Sequence, residues 1–329
     1  MTKTASFTTD EAIARLRQSV HSKASNFYAM YSSVLGGIVT DPALMVLPLD
    51  DHMVHRGHAV FDTATLTHGM LYQLDPHLDR LLRSAQAARI PLPLPREQLR
   101  QIILETAAAS RRRDGSVRYW LSAGPGGYGL GPAECVGSSF YVVVFKQEAY
   151  PETYYTEGIK VITSTIPIKP PLFARTKSTN YLPNVLVVLE AKDHGADNGI
   201  FIDQHGMVAE SSNMNVAFVT KDRVFRHPPF NAILSGITIQ RVLQFAQRLV
   251  AQGELKEIRL ADVPVEEGRN AAEMMLIGSS IKVAPVVQWD RNPIGDGKPG
   301  PITKTLLKLW HEDAQSATDQ LVAVPYLER

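Results

Sequence analysis

The fold is decided by the stretch Lys177-Ser178-Thr179-Asn180-Tyr181-Leu182-Pro183-Asn184. Two later motifs complete it, Glu210-Ser211-Ser212-Asn213-Met214-Asn215 and Ser235-Gly236-Ile237-Thr238. The first offers an amine, the second a carboxylate, and the third a hydroxyl where a strongly periodic helix begins. An amine can hold an aldehyde, a carboxylate can keep a ring nitrogen protonated, and a helix N-terminus can receive a phosphate. The three motifs therefore predict one binding site for a molecule that carries all three groups.

Lys177 is the candidate nucleophile of this site. It lies between a proline-rich segment, 167–171, and an apolar helix that is expected to begin near Pro183. A lysine placed there can project into a cleft and offer a nucleophilic amine, although a solvated surface position is commoner for a single lysine. Tyr181 can donate its phenol to a ring oxygen, and the alternative is a half-buried core tyrosine.

The carboxylate and hydroxyl candidates follow the same logic. Glu210 is expected at the end of a strand, where it can pair with a pyridinium; the alternative is a charge at the rim. Ser235 is the expected N-cap of the periodic helix, so the first backbone amides and the Thr238 hydroxyl can meet a phosphate, although ordinary capping also explains Ser235. Gly278-Ser279-Ser280 ends a buried strand and offers a further phosphate contact.

Composition places the chain among ordinary soluble proteins. It has 329 residues, 44% of them hydrophobic, with Lys+Arg 34 against Asp+Glu 33, so no nucleic acid or membrane partner is expected. Residues 1–20 predict a surface helix without a signal peptide, which favours a cytoplasmic location, with an organelle as the alternative if a transit peptide was removed. Cys135 is the only cysteine, so no internal disulfide can form. The polar segment 146–158 predicts a boundary between two domains, 1–150 and 151–329.

Hydrophobic periodicity predicts a mixed α/β chain. Helices are expected at 76–88, 96–111, 237–250 and 302–314, besides the N-terminal one and the one that begins near Pro183. Strands are expected at 45–49, 59–64, 70–74, 117–123, 139–145, 159–164, 199–203, 207–210, 216–220, 224–226, 273–278 and 283–289.

Two tempting motifs are rejected. Gly124-Pro125-Gly126-Gly127-Tyr128-Gly129 matches the dinucleotide-binding pattern, but a strand rather than a helix is expected after it, so a loop over a site is the better interpretation. His52, His55 and His58 have the spacing of metal ligands, yet their neighbours look extended, which would splay the imidazoles. No metal is predicted.

The motifs, taken in this order, resemble the class IV (fold type IV) pyridoxal phosphate-dependent aminotransferases. The group includes branched-chain and D-amino acid transaminases and aminodeoxychorismate lyase. Matching runs extend over residues 55–280, among them His55-Arg56-Gly57-His58-Ala59-Val60-Phe61-Asp62-Thr63 and His77-Leu78-Asp79-Arg80-Leu81. The sequence as a whole looks closest to the plant-type D-amino acid transaminases.

This resemblance implies the fold and a role for each motif. The family fold is an N-terminal α/β domain and a C-terminal pseudo-barrel domain in a homodimer, with the site between domains and near the subunit interface. Lys177 would be the Schiff-base lysine and proton shuttle, Glu210 the partner of the pyridine nitrogen, and Tyr181 a neighbour of the ring oxygen. The remaining cofactor contacts would come from Arg80, Asn215, Gly236, Ile237, Thr238, Ser279 and Ser280.

Substrate recognition departs from the bacterial D-amino acid transaminases. Those enzymes place a tyrosine at the position of Phe61 and an arginine at that of Ala123, and both bind the substrate carboxylate. This chain lacks both groups, so the carboxylate has to be bound elsewhere. Arg118 is the first candidate, because branched-chain enzymes also carry an arginine there, and Arg56 is the second. Phe61, which stands where the bacterial D-amino acid transaminases have the tyrosine, is the third substrate-binding candidate.

The expected reaction is the transamination of D-amino acids of the D-alanine type, with pyruvate or 2-oxoglutarate as the acceptor. Aminodeoxychorismate lyase, which eliminates pyruvate, and branched-chain L-amino acid transaminase are alternatives that the motifs do not separate. A non-catalytic cofactor carrier is disfavoured, because every position of the predicted site is filled by a suitable residue.

Overall fold

The computed structural model describes residues 4–316 and 318–326. The chain forms two compact units, Met1–Gln147 with Val322–Arg329, and Glu148–Leu321. This division differs from the expected 1–150 and 151–329 mainly at the C-terminus, which belongs to the first unit. The physical reason is strand pairing: Leu321–Ala323 joins the first sheet, and the Val324 amide donates to the Gly69 carbonyl at 3.1 Å.

The α-helices and β-strands are mixed along the chain. The helices are α1 Thr9–Gln18, α2 His52–Arg56, α3 Leu74–Ala87, α4 Arg96–Ala109, α5 Thr153–Thr156, α6 Pro171–Ala174, α7 Leu182–Asp193, α8 Ile237–Ala251, α9 Val265–Arg269 and α10 Pro301–Ser316. The strands are β1 Phe27–Ser32, β2 Gly37–Val39, β3 Ala59–Thr67, β4 Met70–Tyr72, β5 Gly115–Ser122, β6 Ser139–Phe145, β7 Ile159–Thr163, β8 Asn198–Ile202, β9 Val208–Ser211, β10 Asn215–Val219, β11 Val224–His227, β12 Glu257–Leu260, β13 Glu273–Gly278, β14 Lys282–Trp289, β15 Asn292–Pro293 and β16 Leu321–Ala323.

The first unit is a sheet covered by two helices. Within the described residues its seven strands have the order β16-β4-β3-β5-β6-β1-β2. Alternate residues of β3 are buried, as expected for a strand with one face on the core. Helix α3 buries Leu74, Leu78, Leu81 and Ala85, a spacing of three and four that forms one face of a helix. Together with α4 and the sheet, these residues form one hydrophobic core.

The segment His52–His58 corrects one expectation. It is the short helix α2 rather than an extended chain, because the Asp51 carboxylate accepts the Met53 amide at 2.8 Å and Gly57, at φ +62°, ends the helix. The ring centroids of His55 and His58 therefore lie 5.0 and 5.8 Å from that of His52. Across residues 4–316 and 318–326, no group of three or more His, Cys, Asp or Glu side chains is placed to hold a metal ion.

The glycine-rich segment is a loop between β5 and β6, as its interpretation required. Gly124 has φ +98°, and a Cβ there would overlap the Gly137 carbonyl oxygen. Glycine is therefore needed where the two ends of the loop pass closely, which is a packing role. A strand follows this loop, so it does not open a helix in the way a dinucleotide-binding turn does.

The second unit contains a curled, half-barrel sheet. Its main path in the described residues runs β12-β11-β10-β13-β14-β7-β8-β9, and β15 pairs with β14. β9 and β10, which lie apart in this order, are joined by a tight turn in which the Ser211 amide donates to the Met214 carbonyl at 2.9 Å. A hydrophobic core that includes Val216, Phe218, Leu276 and Trp289 fills the unit. No helix in the described residues is long and apolar enough to cross a bilayer.

Most expected elements are confirmed, with shifts of a few residues at their ends. The expected strand at 45–49 is wrong: the segment is irregular and leaves Val46, Leu47 and Leu49 exposed. The elements outside the expected set are strands β1, β2, β12, β15 and β16 and the short helices α2, α5, α6 and α9.

Candidate active site

Lys177 lies in the short connection between α6 and α7. Its side chain is half-buried, and its Nζ donates to the Tyr181 hydroxyl at 3.1 Å. Pro183 lies in the first turn of α7, where its fixed φ favours the helix and its missing amide costs no hydrogen bond. The start of this helix therefore fixes the distance between the amine and the phenol.

Asn184 ties the same helix to the turn between β9 and β10. It is buried, and its side-chain amide donates to the Ser212 carbonyl. Glu210 lies on β9 two residues before Ser212. The hydrogen bond thus holds the carboxylate strand against the helix that follows Lys177.

Glu210 is a buried carboxylate with little local compensation. In the described residues its side chain accepts one hydrogen bond, from the Leu234 amide at 3.3 Å. Burial raises the pKa of Glu210 to about 7, against the opposing effects of that hydrogen bond and of the positive charges of Lys169 and Lys177. A cation placed in contact with the carboxylate would favour its charged form. The site therefore fits a protonated ring nitrogen at this position.

The N-terminus of α8 is buried without a side-chain cap. Gly236 is the N-cap, and Ile237 and Thr238 in the first turn are buried. The first amides of a helix have no intrahelical acceptor, so a buried and uncapped end fits an anionic ligand. The expectation that Ser235 caps this helix is wrong, because its hydroxyl accepts a hydrogen bond from Gln240 Nε2 at 2.8 Å.

Hydroxyl groups gather at this helix end. Thr238 Oγ1 and Ser279 Oγ lie 3.3 Å apart, and Ser280, the next residue, is half-buried. Asn215 acts on the preceding loop, since its Nδ2 donates to the Leu234 carbonyl at 3.0 Å. A Cβ at Gly236 would overlap Asn215 Oδ1, so glycine is needed for this contact. Asn215 and Gly236 therefore shape the loop that leads into α8.

The first unit carries the other predicted residues. Arg80 is buried, and its Nε and Nη2 donate to the two carboxylate oxygens of Asp62 at 2.8 Å. His77 Nδ1 also lies 2.8 Å from Asp62 Oδ1. Burial favours the neutral form of Asp62, but the charges of Arg80 and His77 outweigh it and hold the pKa of Asp62 well below its usual range. The carboxylate thereby fixes the direction of the Arg80 guanidinium.

The three substrate-binding candidates lie in the same unit. Arg118 donates to Thr63 Oγ1 at 2.9 Å, and its guanidinium lies 5.4 Å from the Phe61 ring centroid and 5.5 Å from that of Phe145. Arg56 is exposed and donates to the backbone carbonyls of residues 128 and 129 at 2.6 and 3.3 Å. Arg56 therefore fastens the glycine-rich loop, which is a structural role that the sequence did not indicate.

The comparisons with known proteins agree with this geometry. A family described as Amino-transferase class IV matches residues 59–289. The chain belongs to the class IV aminotransferase family. A D-amino-acid transaminase of Arabidopsis thaliana, described as chloroplastic, is 54% identical over 304 residues, 91% of this chain and 80% of the relative. A D-alanine aminotransferase of Bacillus licheniformis is 27% identical, with 88% and 99% covered.

Solved structures agree on the fold. The branched-chain amino acid aminotransferase of Thermobaculum terrenum, solved in its pyridoxal phosphate form, superposes with a TM-score of 0.78 at 22% identity, covering 90% of this chain and 98% of that one. At this identity the likeness establishes the fold alone, which is the fold type IV architecture that the motifs implied. As a class IV aminotransferase, the protein uses pyridoxal 5'-phosphate and acts on small amino and oxo acids.

Two residues near Lys177 were not identified from the sequence. Asn184 stands in the quoted motif, and its role depends on a contact with a carbonyl 28 residues away, which no local pattern reveals. Lys169 lies eight residues before Lys177, and its Nζ is 4.9 Å from the Tyr181 ring centroid. The only local signal is its position before Pro170, which favours an extended backbone.

Proposed function

We propose that this aminotransferase transfers amino groups from D-amino acids such as D-alanine to pyruvate or 2-oxoglutarate. Support comes from the identity of 54% with a D-amino-acid transaminase over most of both chains. The observation that carries the catalytic part is the placement of Lys177, Tyr181 and Glu210 around the connection between α6 and α7, with the uncapped start of α8 in the same unit.

The cofactor contacts follow from the chemistry of each group. Glu210 would bind the pyridine nitrogen, and Tyr181 the ring oxygen. Ile237 and Thr238 at the start of α8 would bind the phosphate with Ser279 and Ser280, and Arg80 would add a positive charge. Pyridoxal phosphate, when bound, withdraws electrons from the amino acid and makes its Cα proton acidic.

Lys177 has two tasks in this proposal. Its Nζ would hold the cofactor aldehyde covalently in the resting enzyme. Once a substrate amine has displaced it, the free amine would take the proton from the substrate Cα and deliver it to the cofactor carbon that carried the aldehyde. The Tyr181 hydroxyl, 3.1 Å from Nζ, orients the amine for this transfer. Burial raises the pKa of Glu210 to about 7, so the carboxylate is only partly ionised near neutral pH, and a pyridinium lying against it would favour the charged form.

A substrate panel tests the proposal. Purified holoenzyme is assayed with D-alanine, L-leucine and aminodeoxychorismate, because the face on which the carboxylate binds decides which enantiomer presents its Cα proton to Lys177. Turnover of D-alanine with 2-oxoglutarate, well above that of L-leucine, supports the proposal. Preference for L-leucine would indicate the branched-chain alternative, and release of pyruvate from aminodeoxychorismate without amino transfer would indicate the lyase.

We also propose that the protein is a homodimer. Helix α7, which follows Lys177, leaves four large apolar side chains exposed: Leu182, Val185, Leu186 and Leu189. Contiguous exposed apolar side chains of this kind mark protein interfaces. Light scattering should give twice the chain mass of 36.3 kDa, and Leu189→Glu should shift the protein toward the monomer; a wild-type monomer would overturn this.

For the location we propose the cytoplasm, the sequence-based expectation, with an organelle as the alternative that the relative described as chloroplastic supports. Fractionation of the native host with an antibody against the protein distinguishes the two.

A further inference from the structure

We propose that Lys169 binds the α-carboxylate of the amino acid and oxo acid substrates. This inference rests on the proposed transaminase function. The α-carboxylate is bonded directly to the Cα whose proton Lys177 moves, so the group that binds it has to lie close to the Lys177 amine. Both ammonium groups approach one ring: Lys169 Nζ lies 4.9 Å and Lys177 Nζ 5.6 Å from the Tyr181 centroid.

The Lys169 ammonium lies over the Tyr181 ring and close enough to Glu210 to lower the pKa of that carboxyl. Within residues 4–316 and 318–326, Lys169 forms no salt bridge and no side-chain hydrogen bond. The interactions of its ammonium group there are the contact with the Tyr181 ring and the electrostatic attraction to Glu210. Lys169 is half-buried, so its ammonium group is partly desolvated, and an anion in contact with it would offset that cost. With Glu210 paired to the pyridine nitrogen, an incoming carboxylate is the partner that this ammonium lacks.

The backbone holds Lys169 in place before any ligand arrives. The Glu190 carboxylate accepts the Thr165 amide at 3.0 Å, and Ile166 and Ile168 pack on a small hydrophobic core. Pro170 favours an extended conformation of the residue before it, so the side chain of Lys169 points away from that of Ile168. The ordering of this segment therefore costs little when a substrate binds.

The three candidate arginines of the first unit have partners within the chain. Arg80 is paired with Asp62, and Arg56 is bonded to backbone carbonyls. Arg118 donates to Thr63 and lies over two aromatic rings. Arg118 remains the competing candidate, and its variant belongs in the same experiment.

The test compares Lys169→Met with Lys169→Arg in the holoenzyme. Loss of a charge-assisted hydrogen bond should raise KM for D-alanine and for 2-oxoglutarate about 10- to 100-fold, while kcat changes less. Lys169→Arg, which keeps the charge, should recover most of the loss. Lys160→Met, an exposed lysine on β7 in the same unit, is the matched control and should behave as wild type.

A binding measurement separates this inference from the proposed function. Calorimetry of the holoenzyme with propionate, a carboxylate without an amine, should show a dissociation constant that rises by a similar factor in Lys169→Met but not in Lys160→Met. Unchanged KM and propionate binding in Lys169→Met, or the same losses in Arg118→Met instead, would overturn the inference. A wild type inactive with every D-amino acid would overturn the proposed function, and propionate binding would still test Lys169.

A measurement on the wild type alone covers a variant that fails to fold. If Lys169 recognises the carboxylate, wild-type enzyme should prefer D-alanine to D-alaninamide by about 10-fold or more, since the amide lacks the charge. Equal turnover of acid and amide would show that no cation recognises this group and would also overturn the inference.

Discussion

Two buried carboxylates, Asp62 in the first unit and Glu210 in the second, show opposite electrostatics. Asp62 accepts hydrogen bonds from Arg80, and His77 lies within hydrogen-bond distance, which together hold its pKa well below the usual range. Glu210 accepts one backbone amide in the described residues, and burial raises its pKa to about 7. Both side chains are buried away from water, so the difference lies in their partners.

The comparison distinguishes residues that stabilise the fold from residues that are expected to bind a ligand. Where the chain supplies every partner of a buried charge, as at Asp62, the charge orients a neighbouring side chain and stabilises the fold. Where the partners are incomplete, as at Glu210 and at the uncapped start of α8, we expect a ligand to supply the missing charge. Mutations in the two regions should therefore affect different properties.

The largest expected effect is on activity in the second unit. Lys177→Ala should lower kcat for D-alanine about 10³-fold or more, because it removes both the covalent attachment and the base. The free energy of unfolding should change little, since the side chain is only half-buried. Normal turnover in this variant, or a large loss of stability without loss of activity, would contradict the distinction between stabilising and ligand-binding residues.

Asp62→Asn should instead destabilise the protein. It leaves Arg80 buried beside a neutral amide, and breaking a buried ion pair in this way typically costs about 3–5 kcal/mol. Denaturant unfolding of the apoenzyme measures the loss. Asp10→Asn, at an exposed position on α1, is the control and should change the free energy of unfolding by less than about 0.5 kcal/mol. Equal free energies of unfolding for the two variants would show that Asp62 does not stabilise the fold.

The pH dependence of the apoenzyme tests Glu210. Its pKa is about 7 in the folded chain, above the unfolded value, so the unfolded state binds fewer protons between about pH 4.5 and 7. The contribution of Glu210 to stability should fall as the pH rises through this range, by at most about 3 kcal/mol, and then stay constant. Glu210→Gln should remove this contribution.

The measurement is the difference between wild type and Glu210→Gln at each pH. This difference is needed because burial lowers the pKa of His227 to about 4, which gives the opposite slope in both proteins. Added pyridoxal phosphate should abolish the difference in slope, since the pyridinium keeps Glu210 charged. A difference that does not vary with pH would mean that Glu210 is already paired in the apoenzyme.

The smallest effect is expected at Gly236→Ala. The new Cβ would meet the Asn215 amide, which is itself bonded to Leu234, so the loop before α8 has to move at a cost of about 1–3 kcal/mol. Affinity for pyridoxal phosphate should fall with stability. In Gly131→Ala, where a Cβ meets nothing within 4 Å, both should stay at the wild-type level. Equal effects of the two substitutions would refute the packing argument.

Elements were predictable where their hydrophobic pattern is regular. Helix α8 and strands β8 to β11 follow their hydrophobic patterns closely, because each buries a continuous face. Segment 52–58 was misassigned as extended, although Asp51 as N-cap and Gly57 as the end of the helix are visible in the sequence. For β1 no turn signal marks its start, and one of its two partner strands, β6, is far away along the chain.

Site residues could be predicted where they stand in a sequence motif. They could not be predicted where only a tertiary contact brings them to the site. Lys177, Glu210 and Thr238 stand in recognisable motifs, and their roles remain predictions for the experiments above. Ser235 was misread, because a serine and a glycine in succession both suit an N-cap, and the glycine takes that position. Lys169 lies in a proline-rich segment without a pattern, and only its approach to the Tyr181 ring brings it into the site.

The most direct test of the whole account is the position of the covalent link. Holoenzyme is reduced with borohydride, digested, and the labelled peptide is identified by mass spectrometry. The account predicts one pyridoxyl group, on Lys177, with Lys169 unlabelled. A protein without label, or a label on another side chain, would contradict it.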